Sequence, residues 1–237
     1  VAAIDQHYPA AAVVDLSADY RFDDSWAYGQ PERFANQLKG ARRISNPGCY
    51  ATGAQLSLWP IRKKLVSTPA VFGVSGYSGA GKTPSRKNDP AALKDNLMPY
   101  SLTDHVHERE VSHQLGRPIR FMPHVAPFFR GITLTVAAEL ESAQTVEALL
   151  ALYQSTYEPY SLITVKAEMP EVVEVRGTHG VIIGGFTVSK TDPRYISIVC
   201  VLDNLLKGAA TQAVQNLNLA FELPVMTGLD YADFQSL

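Results

Sequence analysis

Gly131-Ile132-Thr133-Leu134-Thr135-Val136-Ala137-Ala138-Glu139-Leu140 sets Ile132, Leu134, Val136 and Ala138 against Thr133, Thr135 and Ala137. That period of two predicts a strand with one buried face. Toward the carboxyl end, residues 145–157 change to helical spacing, with Val146, Leu149, Leu150 and Tyr153 forming an apolar side. Val181–Val188 and Tyr195–Leu202 read as further strands with the turn Thr191-Asp192-Pro193 between them, and a closing helix is expected over 205–220. Toward the amino end, 70–74 reads as a strand, 83–100 as a long loop and 104–115 as a polar helix. The helix-compatible run 51–61 contains Pro60 near its end, the short apolar run 12–16 fits a buried strand, and the polar stretch 21–43 reads as an irregular connection. This order predicts an α+β domain attached to the end of an α/β unit.

The bulk properties narrow the function. Of 237 residues, 46% are apolar and 19% charged, so the chain has ample material for a core. Lys plus Arg number 21 against 23 Asp plus Glu, for a net charge of −2. Without a basic field, binding nucleic acid by bulk electrostatics is not expected. No apolar run is long enough to predict a membrane span. Cys49 and Cys200 are too few for a disulfide scaffold and are expected as thiols in a reducing compartment. The chain opens at Val1 in sequence that already reads as folded, which suggests a piece of a longer or processed protein.

Several short segments carry chemistry. Asn46-Pro47-Gly48-Cys49 is a turn that delivers a thiol to the start of the helix over 51–61. Helix starts favour the thiolate, the nucleophilic form, although a buried structural cysteine would also fit. Cys200 lies within a strand and reads as core. In Asp104-His105-Val106-His107-Glu108-Arg109-Glu110, His107 and Glu110 share a helix face, so the carboxylate can orient a general acid–base imidazole; a solvated helix face is the alternative. The segment lacks zinc-ligand spacing, and no metal site is expected. Residues 76–83 match the phosphate-loop pattern G-x-x-x-x-G-K-T, but Pro84 and Pro90 oppose the helix that pattern requires. Ser75, Ser78 and Lys82 around this glycine-rich turn can still meet an anion. Arg21 and Arg130 are further candidates for gripping a carboxylate or phosphate. Asp15 and Ser17 lie at a strand's carboxyl end, where α/β sheets place ligand sites.

Together these segments resemble the N-acetyl-γ-glutamyl-phosphate reductase family, also called N-acetylglutamate-semialdehyde dehydrogenases. The resemblance runs through Asp15-Leu16-Ser17-Ala18-Asp19-Tyr20-Arg21-Phe22, Asn46 to Thr52, Ser75 to Gly81, His105 to Glu110, Pro123 to Ile132 and Asp203 to Ala210. It implies the end of a Rossmann-type NAD(P)-binding domain (1–48) joined to a semialdehyde-dehydrogenase-like catalytic and dimerisation domain with a mixed sheet (49–203). A closing segment (204–237) would pack back on the first domain. It also implies an oxidoreductase of arginine biosynthesis that uses NADPH to turn an acyl phosphate into a semialdehyde. Cys49 would be the nucleophile, His107 the acid–base with Glu110 beside it, and Arg21, Ser75, Lys82 and Arg130 the substrate contacts. Ser17, Asn46, Gly76 and Asn204 would be the NADP contacts. A homo-oligomer is expected.

The wording of 82–90 and 104–110 resembles the fungal branch, which implies a mitochondrial matrix location and association with acetylglutamate kinase. The family's glycine-rich dinucleotide turn has no counterpart before residue 13, so weak cofactor binding by this chain is expected. The alternatives are a nucleotide-binding protein built on residues 76–83 and a catalytically incomplete interaction domain.

Overall fold

The alternating stretch at 131–140 becomes a central strand of a seven-stranded sheet in a computed structural model that describes residues 1–8 and 10–229. The end of the expected closing segment, 230–237, lies outside the described residues. The chain begins with α1 (Ala2–His7), β1 (Val13–Asp15), β2 (Ala27–Tyr28), α2 (Pro31–Leu38), β3 (Arg43–Ser45) and α3 (Cys49–Leu58). It continues through β4 (Ala70–Gly76), α4 (Pro90–Leu93), β5 (Met98–Pro99), α5 (Val106–Leu115), β6 (Arg120–Ala126), β7 (Ile132–Glu139) and α6 (Val146–Tyr157). The described chain closes with β8 (Ile163–Val165), β9 (Val181–Val188), β10 (Tyr195–Leu202) and α7 (Thr211–Ala220). Two compact units result: residues 1–48 with those from 209 on, and residues 49–208.

In the first unit, β1, β3 and β2 form a parallel sheet in that order. Helix α7 packs on α2 and β1. The Asn216 side chain on α7 donates to the Gly29 carbonyl at 2.8 Å and to the Asn46 amide oxygen at 2.9 Å. Two polar loops are thereby tied to one helix, since buried polar groups must find partners.

In the second unit the sheet order is β5-β6-β4-β7-β10-β9-β8. The β4–β6 and β8–β9 pairs are parallel and the others antiparallel. Its core joins Ile132, Leu134 and Val136 of β7, Ile198 and Cys200 of β10, and nearly every residue of α3. Buried on nearly every side, α3 lies against β7, β10 and α5. The hydroxyls of Tyr153 and Tyr157 on α6 donate to the carbonyls of Ser57 and Leu56, two of the acceptors left over in the last turn of α3. The opposite sheet face is more open: Phe72 is 37% exposed and stacks on the His124 ring with centroids 4.4 Å apart.

The structure corrects several sequence expectations. Within 21–43 it forms β2 and α2, the latter with Pro31 at the first helical turn and Glu32 beside the amino-terminal dipole. Within 83–100 it forms a 3₁₀ turn (Arg86–Asn88), α4 and β5. β6 runs through Pro123, which spoils its sequence signal; Tyr100 donates to the Pro123 carbonyl, a contact that asks no N–H of the proline. The expected helix over 104–115 starts at Val106, because Asp104 is left-handed (φ 58°) and His105 is the cap. The closing helix begins as a π turn (Leu206–Ala210) before α7. A Gly208 N–H to Asp203 carbonyl bond of 2.9 Å secures that turn to β10's end, and the second unit extends to Gly208, past the boundary expected at 203.

Candidate active site

Cys49 is the first residue of α3 and is half-buried, with its thiol in no disulfide. Amide groups of the first helical turn have no intrahelical acceptor, so the dipole's positive end lies at this residue. The π turn approaches closely: a Cβ on Gly208 would lie 2.7 Å from the Cys49 Cβ and 3.2 Å from its Cα. Only a glycine leaves that space. Single π turns inserted in helices are frequent at functional sites.

Aromatic side chains surround the thiol's neighbour. The Tyr50 hydroxyl donates to the His124 carbonyl at 2.8 Å and is hydrogen-bonded to Tyr100. Burial is the main cause holding both phenols well above their ordinary pKa, and the negative charge of Cys49 adds to it. Both tyrosines are therefore neutral at ordinary pH. Tyr100 had no signal in the sequence: it closes the polar segment 83–100, and only the pairing of β5 with β6 brings it here.

Helix α5 supplies the imidazoles. The His107 ring sits edge-on to Tyr50, centroids 5.8 Å apart, and beside His105 at 4.9 Å. His105 caps the helix: its Nδ1 accepts the His107 backbone N–H at 3.1 Å, which leaves its proton on Nε2. Burial first, then the positive charge of Lys87, lowers the His105 pKa, while Glu108 opposes. Glu108 also anchors α5, accepting the Phe121 N–H at 2.8 Å. Glu110, expected beside the acid–base histidine, is fully buried on the same helix.

Of the remaining expected contacts in the second unit, Arg130, Asn204 and Ser75 are engaged internally, while Lys82 is exposed. Arg130 is held by the buried Asp203 through an ion pair, Nε to Oδ2 at 2.6 Å, and one hydrogen bond that Nη2 donates to Oδ1 at 3.1 Å. Asp203 also takes the N–H groups of Gly177, Leu205 and Leu206. The Asn204 amide accepts from Gly131 N–H at 2.7 Å and donates to the Ser78 hydroxyl at 2.9 Å. Ser75 is buried and donates to the Gly76 carbonyl. Gly76 itself lets the chain pass under the 128–131 loop, since a Cβ there would lie 2.5 Å from the Phe129 carbonyl oxygen. Lys82 is exposed at the rim of a cleft of about 790 Å³, whose lining includes Tyr77, Ser78, Pro84, Asn88 and Phe129.

In the first unit, Arg21 is buried and donates to the carbonyls of Asn46 (3.0 Å) and Leu16 (3.2 Å). Ser17 is exposed and donates to Asp15 at 2.7 Å. Asn46 is buried, accepts from Asn216 and donates to the Ala209 carbonyl at 3.3 Å. Arg21 and Asn46 thus hold the strand ends together, a use the sequence did not indicate.

A half-buried cysteine heading a central helix, an imidazole one aromatic ring away and a mixed seven-stranded sheet define a domain of the semialdehyde dehydrogenase class. The family model "Semialdehyde dehydrogenase, dimerisation domain" matches residues 49–204. Solved structures agree in fold. An aspartate semialdehyde dehydrogenase II of Vibrio cholerae, described as complexed with ASA, superposes with TM-score 0.71 at 20% identity, over 89% of this chain and 72% of that one. A probable aspartate-semialdehyde dehydrogenase of Pseudomonas aeruginosa gives 0.73 at 20% identity, over 94% and 78%. Among curated relatives, the N-acetyl-gamma-glutamyl-phosphate reductase of Xanthomonas campestris pv. campestris (strain B100) is 58% identical over 229 residues, 97% of this chain and 72% of that protein. That of Stenotrophomonas maltophilia (strain R551-3) is 52% identical, over 98% and 73%. The chain belongs to the N-acetyl-gamma-glutamyl-phosphate reductase family.

Proposed function

We propose that this protein reduces N-acetyl-γ-glutamyl phosphate to N-acetylglutamate 5-semialdehyde and phosphate in arginine biosynthesis, with NADPH as the reductant. The observation that carries the reading is the family membership along nearly the whole chain, joined to Cys49 at the head of α3 with His107 across the Tyr50 ring.

In this reading the Cys49 thiolate attacks the acyl carbonyl. The carbon–sulfur bond forms, the carbon–oxygen bond to phosphate breaks, and phosphate leaves with that electron pair. NADPH, when bound, supplies the hydride that takes the Cys49 thioester to the aldehyde oxidation level. His107 takes the proton from the Cys49 sulfur before attack and returns one as the thiolate is expelled. N–H groups of the first turn of α3 stabilise the oxyanion of the tetrahedral species. Glu110 orients His107. Arg130, paired with Asp203, and the exposed Lys82 are proposed at the carboxylate end of the anionic substrate, away from its phosphate. Ser17 and Asn204 are proposed at the cofactor, together with the glycine turn at Gly76. Ser75 and Tyr50 support the site from within, and Arg21 and Asn46 shape the chain before Cys49.

The oligomer expected for a dimerisation domain is proposed to form through the open sheet face around Phe72. The phosphate-loop alternative gains no support, since a 3₁₀ turn and a four-residue helix follow residues 76–83. The matrix location and the kinase partner rest only on the fungal-type wording of 82–90 and 104–110, and the relatives described here are bacterial.

The test is phosphate- and NADP-dependent oxidation of N-acetylglutamate 5-semialdehyde. Cys49→Ser is expected to lower turnover roughly a thousandfold or more with the fold intact. Activity within tenfold of the unaltered protein would overturn covalent catalysis.

A further inference from the structure

The substrate proposed above carries a phosphate two bonds from the carbonyl carbon that sulfur attacks. A cation is needed there to neutralise the leaving group. The arginines named from the sequence are committed elsewhere: Arg21 to main-chain carbonyls and Arg130 to Asp203. Lys82 is exposed in its loop. Another cation lies against the aromatic cluster that includes Tyr50, the residue after Cys49. Lys87 Nζ lies 4.7 Å from the centroid of the Tyr100 ring, and Tyr100 is the phenol that bonds Tyr50 and feels the charge of Cys49.

Lys87 is half-buried and makes no ion pair among the described residues. Its charge also reaches His105, whose ring lies edge-on to Tyr100 with centroids 5.5 Å apart. The backbone under it is built with care. Lys87 is the middle residue of the 3₁₀ turn, where Ser85 and Asn88 cap one another. The Asn88 side chain donates to the carbonyls of Gly81 and Thr83, both at 2.8 Å, pinning the turn to the glycine-rich loop. Asp89 then caps α4 by accepting the Ala91 N–H. Three polar side chains thus hold in place one turn whose central ammonium is left on an aromatic face, where cation–π attraction favours it but no carboxylate neutralises it.

We propose that Lys87 is the phosphate-binding cation of this site, its ammonium held over the Tyr100 ring to receive the phosphoryl group of the acyl phosphate. The assignment rests on the function proposed above for the identity of the ligand, and on the Lys87–Tyr100–Tyr50 arrangement for the place.

The experiment measures alkylation of Cys49 by neutral iodoacetamide, with and without inorganic phosphate, by intact mass. Phosphate should slow alkylation of the unaltered protein at least fivefold. Lys87→Met should lose that protection, Lys87→Arg should restore most of it, and Lys94→Met on the same segment should keep it. Full protection in Lys87→Met, or none in the unaltered protein, overturns the proposal. In the phosphate-dependent oxidation, Lys87→Met should raise the KM for phosphate at least tenfold with kcat within threefold; an unchanged KM for phosphate also overturns it. Should the unaltered protein protect Cys49 with phosphate yet fail to oxidise the semialdehyde, the reaction assigned above fails and the anion site at Lys87 stands.

Discussion

Replacing Gly208 with alanine adds one methyl group at the place where the π turn meets Cys49, the proposed nucleophile. The new Cβ would lie 2.7 Å from the Cys49 Cβ, 3.2 Å from the Cys49 Cα and 3.2 Å from the Asp203 carbonyl oxygen. Ordinary contact begins near 3.4 Å, so Cys49 and the turn must part by about 0.7 Å. The Gly208 φ lies outside the left-handed region, so alanine suits the backbone and the cost is steric alone. Overpacking of this kind costs about 1–3 kcal/mol. Two of the three contacts are backbone atoms and cannot swing aside, so the movement falls on the residue that carries the sulfur. A misplacement approaching 1 Å at a reacting group costs about a hundredfold in rate. Gly208→Ala is therefore expected to fold, to lose roughly 1–3 kcal/mol in urea denaturation, and to turn over about a hundredfold more slowly. Steady-state kinetics beside a denaturation curve decides it. Turnover within twofold of the unaltered protein, at unchanged stability, would refute the claim that Gly208 sets the position of Cys49.

Other consequences follow from the same geometry. His105 is held below its ordinary pKa by burial and by Lys87, so the unfolded chain takes up a proton first as the solution acidifies. The stability linked to His105 is present above about pH 6.5 and is lost as pH falls through the window below it. His105→Asn keeps a capping acceptor without titrating, and its urea midpoint should fall less between pH 7 and pH 5 than that of the unaltered protein; equal slopes would count against the reading. Burial pushes the Cys200 thiol up to about 12, so iodoacetamide at pH 8 should add one equivalent, on Cys49, as peptide mapping would show; two equivalents on folded protein would contradict the packing of β10. Phe72→Asp should shift the sedimentation coefficient toward a monomer without unfolding the chain, whereas an unchanged assembly would remove the open sheet face from the interface.

Elements with strong local periodicity were legible before any coordinates. β9 and β10 fall at the bounds their apolar runs indicate, and β7 and α6 match within a residue or two. The Asn-Pro-Gly turn delivering Cys49 to a helix start was legible too, because a turn and a helix start are written in adjacent residues. Short elements were not. α2, β5 and β8 are too brief for a period to show, and they exist because a distant partner pairs with or packs on them.

The division has a physical origin. By itself the sequence determined which segments are strands or helices with one apolar side, where a thiol meets a helix start, and where two imidazoles stand together at the start of another helix. Each of these depends on neighbours a few residues apart. The tertiary structure alone decided who pairs with whom: that Asp203 takes Arg130, seventy-three positions away, that Asn204 bridges Ser78 and Gly131, and that Lys87 comes to lie over the Tyr100 ring. A charged or polar side chain binds whatever partner the folded chain brings within reach. That choice is made by the order in which seven strands assemble, β5-β6-β4-β7-β10-β9-β8, and no window of adjacent residues contains that order.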